Sequence, residues 1–78
     1  MTILILLEGN IKMIKKLAEL AKEEKVMLNY CIDQANDTIR IDVIGKPKDF
    51  VIIHNLSAFS DDEIIEITKD VIRRAKDD

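Results

Sequence analysis

The chain has 78 residues, 47% hydrophobic, 4% aromatic and 35% charged, with a net charge of −3, one cysteine and one histidine. These totals exclude an internal disulfide and leave too few ligands for a structural zinc site, which takes four Cys or His. They also argue against a strongly basic nucleic-acid binder, and they leave a single small α+β domain over residues 1–78. A domain this short buries only about 60% of its unfolded surface and often relies on a disulfide, a metal or a second copy of itself.

In chain order, Met1–Leu7 is apolar, but it has no basic leader and no small-residue cleavage site, so it does not read as a signal peptide. It is also far short of the roughly 20 residues that span a bilayer. With one free cysteine, a reducing cytoplasmic setting is expected. The run Ile3–Leu7, closed by Glu8, Gly9 and Asn10, has the length and isoleucine content of a strand buried on both faces. Asn10 then suits the N-cap of a helix. At about 100° per residue, Ile11, Met13, Ile14, Leu17, Ala18, Leu20 and Ala21 share one side of that helix. Lys12, Lys15, Lys16, Glu19, Lys22 and Glu23 share the other.

From Val26 the period changes to two. Val26, Leu28, Tyr30 and Ile32 point one way, and Met27, Asn29, Cys31 and Asp33 the other, as in a strand with one covered face. Gln34-Ala35-Asn36-Asp37 carries turn chemistry. Thr38–Ile44 alternates again, with Ile39, Ile41 and Val43 on one face. Gly45–Asp49 reads as a second turn and Phe50–His54 as a third meander strand, apolar on both sides. Ser60-Asp61-Asp62-Glu63 is a capping box, with Phe59 and Ile64 as its hydrophobic staple. Asp61 and Asp62 stand at the positive end of the following helix dipole, and Arg73, Arg74 and Lys76 at the negative end. Ile64, Ile65, Ile67, Val71, Ile72 and Ala75 form its apolar stripe.

The expected fold is therefore α+β in the order β-α-β-β-β-α. Its sheet is antiparallel with three or four strands, and both helices cover one face, because each has a single apolar stripe. Over residues 11–76 this order resembles that of double-stranded RNA-binding domains and of HicA-family toxins. The former place lysines at the start of the second helix, where this chain has Ser60, Asp61, Asp62 and Glu63. The latter carry a histidine after a glycine near the meander, and this chain has no Gly-Ser-His run. No functional residue is carried over from either.

Little catalytic chemistry is signalled. His54 lacks a recognisable nucleophile or orienting partner in sequence and reads as an ordinary strand-end residue. Cys31 reads as a small packing residue, since an activated thiol needs a cation or a helix N-terminus beside it. The carboxylates of residues 61–63 are accounted for by capping, and those of Asp77 and Asp78 by a chain end. No catalytic residue, metal ligand or cofactor is assigned.

Two surfaces remain. The uncovered sheet face carries Met27, Asn29, Cys31, Asp33, Thr38, Arg40, Asp42 and Ile44, with either Val51 and Ile53 or Phe50 and Ile52. Together with Ile3 and Ile5 of the N-terminal run, Met27, Ile44, Val51 and Ile53 form the expected interaction surface. Surplus apolar surface of this kind points to a protein partner or a homodimer. The leading expectation is a non-enzymatic interaction or regulatory domain without membrane attachment. The alternative is nucleic-acid binding by Lys12, Lys15, Lys16 and Lys22, whose affinity would fall steeply with salt.

Overall fold

Two helices enclose a three-stranded antiparallel meander in the order α1 (Thr2–Glu24), β1 (Leu28–Asp33), β2 (Thr38–Val43), β3 (Lys46–Ile53), a single 3₁₀ turn (Leu56–Ala58) and α2 (Asp61–Asp77). This is a computed structural model, and it describes the backbone of residues 2–77 and the side chains of residues 11–77. The fold is α+β, and its meander and second helix follow the order expected.

The first strand is corrected. Ile3–Leu7 lies inside α1, which runs without a break through Glu8, Gly9 and Asn10. A short run of consecutive apolar residues has no period that separates strand from helix. A lone glycine costs a helix only about 1 kcal/mol, so Gly9 does not end it. Asn10 is consequently an interior residue rather than a cap, and the sheet has three strands among the described residues. The side chains of Ile3 and Ile5 lie outside the described residues.

Helix α1 ends in a Schellman motif, with Val26 N–H donating to Ala21 O at 3.0 Å and Lys25 N–H to Lys22 O at 3.3 Å. Lys25 takes the left-handed position with φ 57°. Glycine is usual there, and a side chain with a Cβ costs about 1 kcal/mol.

The β1–β2 register pairs Leu28 with Val43, Tyr30 with Ile41 and Ile32 with Ile39. β3 begins four residues earlier than its apolar segment suggests. The connection from β2 is the two-residue turn Ile44-Gly45, where Gly45 has φ 90°, and the ladder shifts register at Asp42/Val43. Pro47 is accommodated because β3 is an edge strand, where a missing N–H breaks no ladder bond on its outer side.

Helices and sheet meet over one continuous apolar layer. At one end Met13, Leu17, Ile39, Ile41, Ile53, Leu56 and Ile64 are buried together. At the other are Leu20, Val43, Val71, Ile72 and Ala75, with Val51 and Ile65 touching both groups. Each fully buried aliphatic side chain contributes about 1.5–3 kcal/mol. Thr68, wholly buried in α2, donates its hydroxyl to Ile64 O at 2.8 Å, so its polar atom is satisfied inside the helix.

The capping box is formed at both ends. Glu63 N–H donates to Ser60 Oγ at 3.2 Å and Ser60 N–H to Glu63 Oε1 at 3.0 Å. Phe59 packs into the cluster that contains Ile64. Ser60→Ala is expected to lower stability by about 1 kcal/mol, read as a shift of the urea midpoint at constant slope. A loss below about 0.3 kcal/mol would show that the cap contributes nothing in solution.

Candidate functional site

Strand alternation and the observed register together decide which side chains share the face opposite the helices. Two rows cross all three strands: Asn29, Asp42 and Phe50, then Cys31, Arg40 and Ile52. Asp33 and Thr38 pair beyond them. At the other end Met27 and Ile44 face each other, joined by Ile44 N–H donating to Met27 O at 2.8 Å. Among the described residues no helix covers this face, and its large apolar side chains are open to solvent: Met27 is 68% exposed, Ile44 53%, Ile52 46% and Phe50 43%.

Val51 and Ile53 are corrected in the same way as the first strand. Val51 pairs with Ile41 and Ile53 with Ile39, which places both under the helices. Ile53 is 4% exposed and belongs to the core. The open face takes the other pair, Phe50 and Ile52. Because β3 is apolar on both sides, its composition does not show which residue set faces inward, and only the register does.

The centre of the face is polar. Arg40 reaches diagonally to Phe50, its guanidinium carbon 4.7 Å from the ring centroid. Its Nε lies 3.8 Å from Asp42 Oδ1. A cation over an exposed ring contributes about 0.5–1 kcal/mol, a modest bias of the guanidinium toward Phe50. The arrangement is an aromatic and an isoleucine on β3, a cation on β2, and a Met–Ile pair at one end.

The other singled-out residues are dispersed. Cys31 is exposed opposite Arg40. His54 is exposed just past β3. Among the described residues no group of three or more His, Cys, Asp or Glu is placed to hold a metal ion, and no helix is long and apolar enough to cross a membrane. Of the α1 lysines, Lys16 is drawn to α2, 3.4 Å from Asp62 and 3.9 Å from Asp61. Lys12, Lys15 and Lys22 are exposed.

A cavity of about 290 Å³ lies where the β1–β2 loop meets the 3₁₀ turn, lined in part by Met13, Ile32, Asp33, Asp37 and Phe59. Its carboxylates are occupied. Asp33 accepts from Asn36 Nδ2 at 2.6 Å, a bond that holds its carboxyl below the usual aspartate range. Asp37 accepts from Ser57 Oγ at 2.6 Å.

Comparisons with protein-family models, with curated proteins and with solved structures found no match to this chain.

Proposed function

We propose that this chain is a non-enzymatic interaction or regulatory domain that acts through the open face of its sheet, by self-association or by binding a protein partner. The observation that carries this reading is the exposure of Phe50 and Ile52 side by side on β3, 43% and 46%, with Met27 and Ile44 on the same face. Apolar side chains gathered on one face of a soluble protein mark a surface meant to be covered. Aromatic and Arg side chains are the types enriched where proteins bind each other. Nucleic-acid binding by the α1 lysines is less well supported, because Lys16 is held by the acidic start of α2.

The test uses Phe50→Thr together with Ile52→Thr, which keeps strand propensity while removing the apolar surface. Both side chains lie outside the core, so folding is expected to be unaffected. Ile53→Asp would unfold the chain instead and is unsuitable. Light scattering on a sizing column at two concentrations, followed by capture from native cell extract, is expected to show a dimer, or a retained protein, that the double variant loses. An unchanged mass with an unchanged set of retained proteins would end this reading.

A further inference from the structure

Helix α1 turns only part of its apolar side into the core. Met13, Leu17 and Leu20 are buried there. Ile11 is 48% exposed, Ala18 is exposed, and Ile14 and Ala21 are half-buried. At about 100° per residue, these four centre about 110° round the helix from the buried three. They lie on the side away from α2, since Lys16 on the other flank reaches Asp61 and Asp62 of α2.

The layer over the sheet is incomplete on that same side. Helix α2 lies along β2 and β3, and α1 along β1, which is an edge strand. Tyr30 on the covered face of β1 is 38% exposed, where its partner Ile41 is 0%.

Spacing along the uncovered flank is regular. Positions 11, 14, 18 and 21 are separated by alternating steps of three and four. Counting back along the same helix reaches positions 7 and 4, and both are leucine. Apolar residues at alternating steps of three and four make the narrow seam of a coiled coil, not the broader stripe of a helix lying on a sheet. This seam is graded in size, with leucine at 4 and 7, isoleucine at 11 and 14, and alanine at 18 and 21.

A graded seam complements its own reversed copy. When two such helices run antiparallel, position 4 stands level with 21, position 7 with 18, and position 11 with 14. Each leucine position then meets an alanine, and every layer is filled to a similar volume. A parallel pair would set alanine against alanine at 18 and again at 21, leaving two layers underfilled. Charge selects the same arrangement. Position 8 is glutamate and position 15 is lysine, each directly after a seam position and on the side of α1 away from the sheet. In the antiparallel pair, position 8 of one chain comes within about 3 Å, along the axis, of position 15 of the other. Two-fold symmetry makes this contact twice. In a parallel pair, position 8 would lie beside the isoleucine at position 3 instead. The core already holds α1 from Met13 onward, so pairing does not carry the full ordering cost of a short isolated helix.

We propose that a second copy of this chain packs antiparallel along the outer flank of α1, with Ile11 and Ile14 at the two-fold axis and Glu8 of each chain beside Lys15 of the other. The second helix stands on the Tyr30 side of the layer. The inference goes beyond the open-face reading, because self-association then uses α1 and leaves Phe50 and Ile52 for a different protein.

The test is sedimentation equilibrium of the full chain over a range of concentrations, with the far-ultraviolet spectrum as the check on folding. An assembly of two chains is expected. Ile11→Glu sets a charge at the centre of the seam and should weaken association about a hundredfold or more. Ile11 lies outside the core, so the folded spectrum should be kept. Glu8→Lys and Lys15→Glu each bring like charges together at both contacts and should weaken association about tenfold. Combining the two restores opposite charges and should recover the original affinity. Positions 8 and 15 are about 10 Å apart on one helix, so a contact within the chain does not explain such a recovery. If Ile11→Glu does not fold, the exchange of charges carries the test by itself. Phe50→Thr with Ile52→Thr should leave the mass at two chains.

Four results would overturn the proposal. One is a single chain at millimolar concentration, and another is an assembly that Ile11→Glu leaves unchanged. A third is a combined charge variant no tighter than the single ones, which would mean that the helices do not run antiparallel. The last is a mass halved by Phe50→Thr with Ile52→Thr, which would place self-association on the open face.

Discussion

Replacing Ile41 by alanine is expected to remove about 4 kcal/mol of stability, within the range for large-to-small changes at fully buried positions. Ile41 is 0% exposed. It sits on the central strand between Tyr30 and Val51 and faces the helices, so no flexible surface can collapse into the space it leaves. A chain of this length has roughly 4–12 kcal/mol in total, so the variant is expected to be largely unfolded at mild urea. Ile41→Val should cost about 1 kcal/mol. Ile52→Ala, on the opposite face, should stay within about 0.5 kcal/mol. The measurement is the urea midpoint at constant slope. Equal losses at Ile41 and Ile52 would mean that the sheet is covered on both sides, and the open-face reading would fall with that result.

The contrast between those two isoleucines marks how far the sequence is legible. Helix α2 can be read almost to the residue, because cap, staple, dipole charges and apolar stripe are separate signals that agree. Strands β1 and β2 are legible in phase, because polar residues on alternate positions mark the outer face. Strand β3 is not. Phe50, Val51, Ile52 and Ile53 give period two nothing to act on, and the covered pair is selected only by register with Ile39 and Ile41. The N-terminal run fails for a related reason, since five apolar residues in a row fit a buried strand and a helix turn equally well.

The site is legible in part on the same grounds. Met27 and Ile44 stand out because they break an otherwise polar face. The stacking of Arg40 on Phe50 joins residues ten apart on neighbouring strands, and nothing local in either segment announces it. The open edge of β1 requires the sheet order, which a meander leaves undecided until the third strand is placed. In sequence Lys46, Pro47 and Lys48 read as a turn, and they become residues of an edge strand only when β3 is found to begin at Lys46.

Asp37 shows the same limit at a single residue, and its loss is expected to be the second-largest effect. It ends the β1–β2 loop with φ 53°. Its carboxylate accepts from Ser57 N–H at 3.1 and 3.2 Å and from Ser57 Oγ at 2.6 Å. Its carbonyl accepts from Leu56 N–H at 2.8 Å. A loop aspartate is thus a clasp on a segment twenty residues away, where the chain turns from β3 toward α2. Asp37→Ala loses the charge-assisted bonds, about 1.5–3 kcal/mol. The strain of a Cβ in the left-handed region is common to aspartate and alanine. Asp37→Gly relieves the backbone part and should recover about 1 kcal/mol relative to alanine. Asp37→Asn keeps an acceptor and tolerates the backbone, so it should cost about 1 kcal/mol. Urea midpoints in the order Asn, Gly, Ala, from most to least stable, are the expected result. Glycine restoring nearly full stability would mean that the backbone conformation, and not the bond to Ser57, is what aspartate supplies at this position.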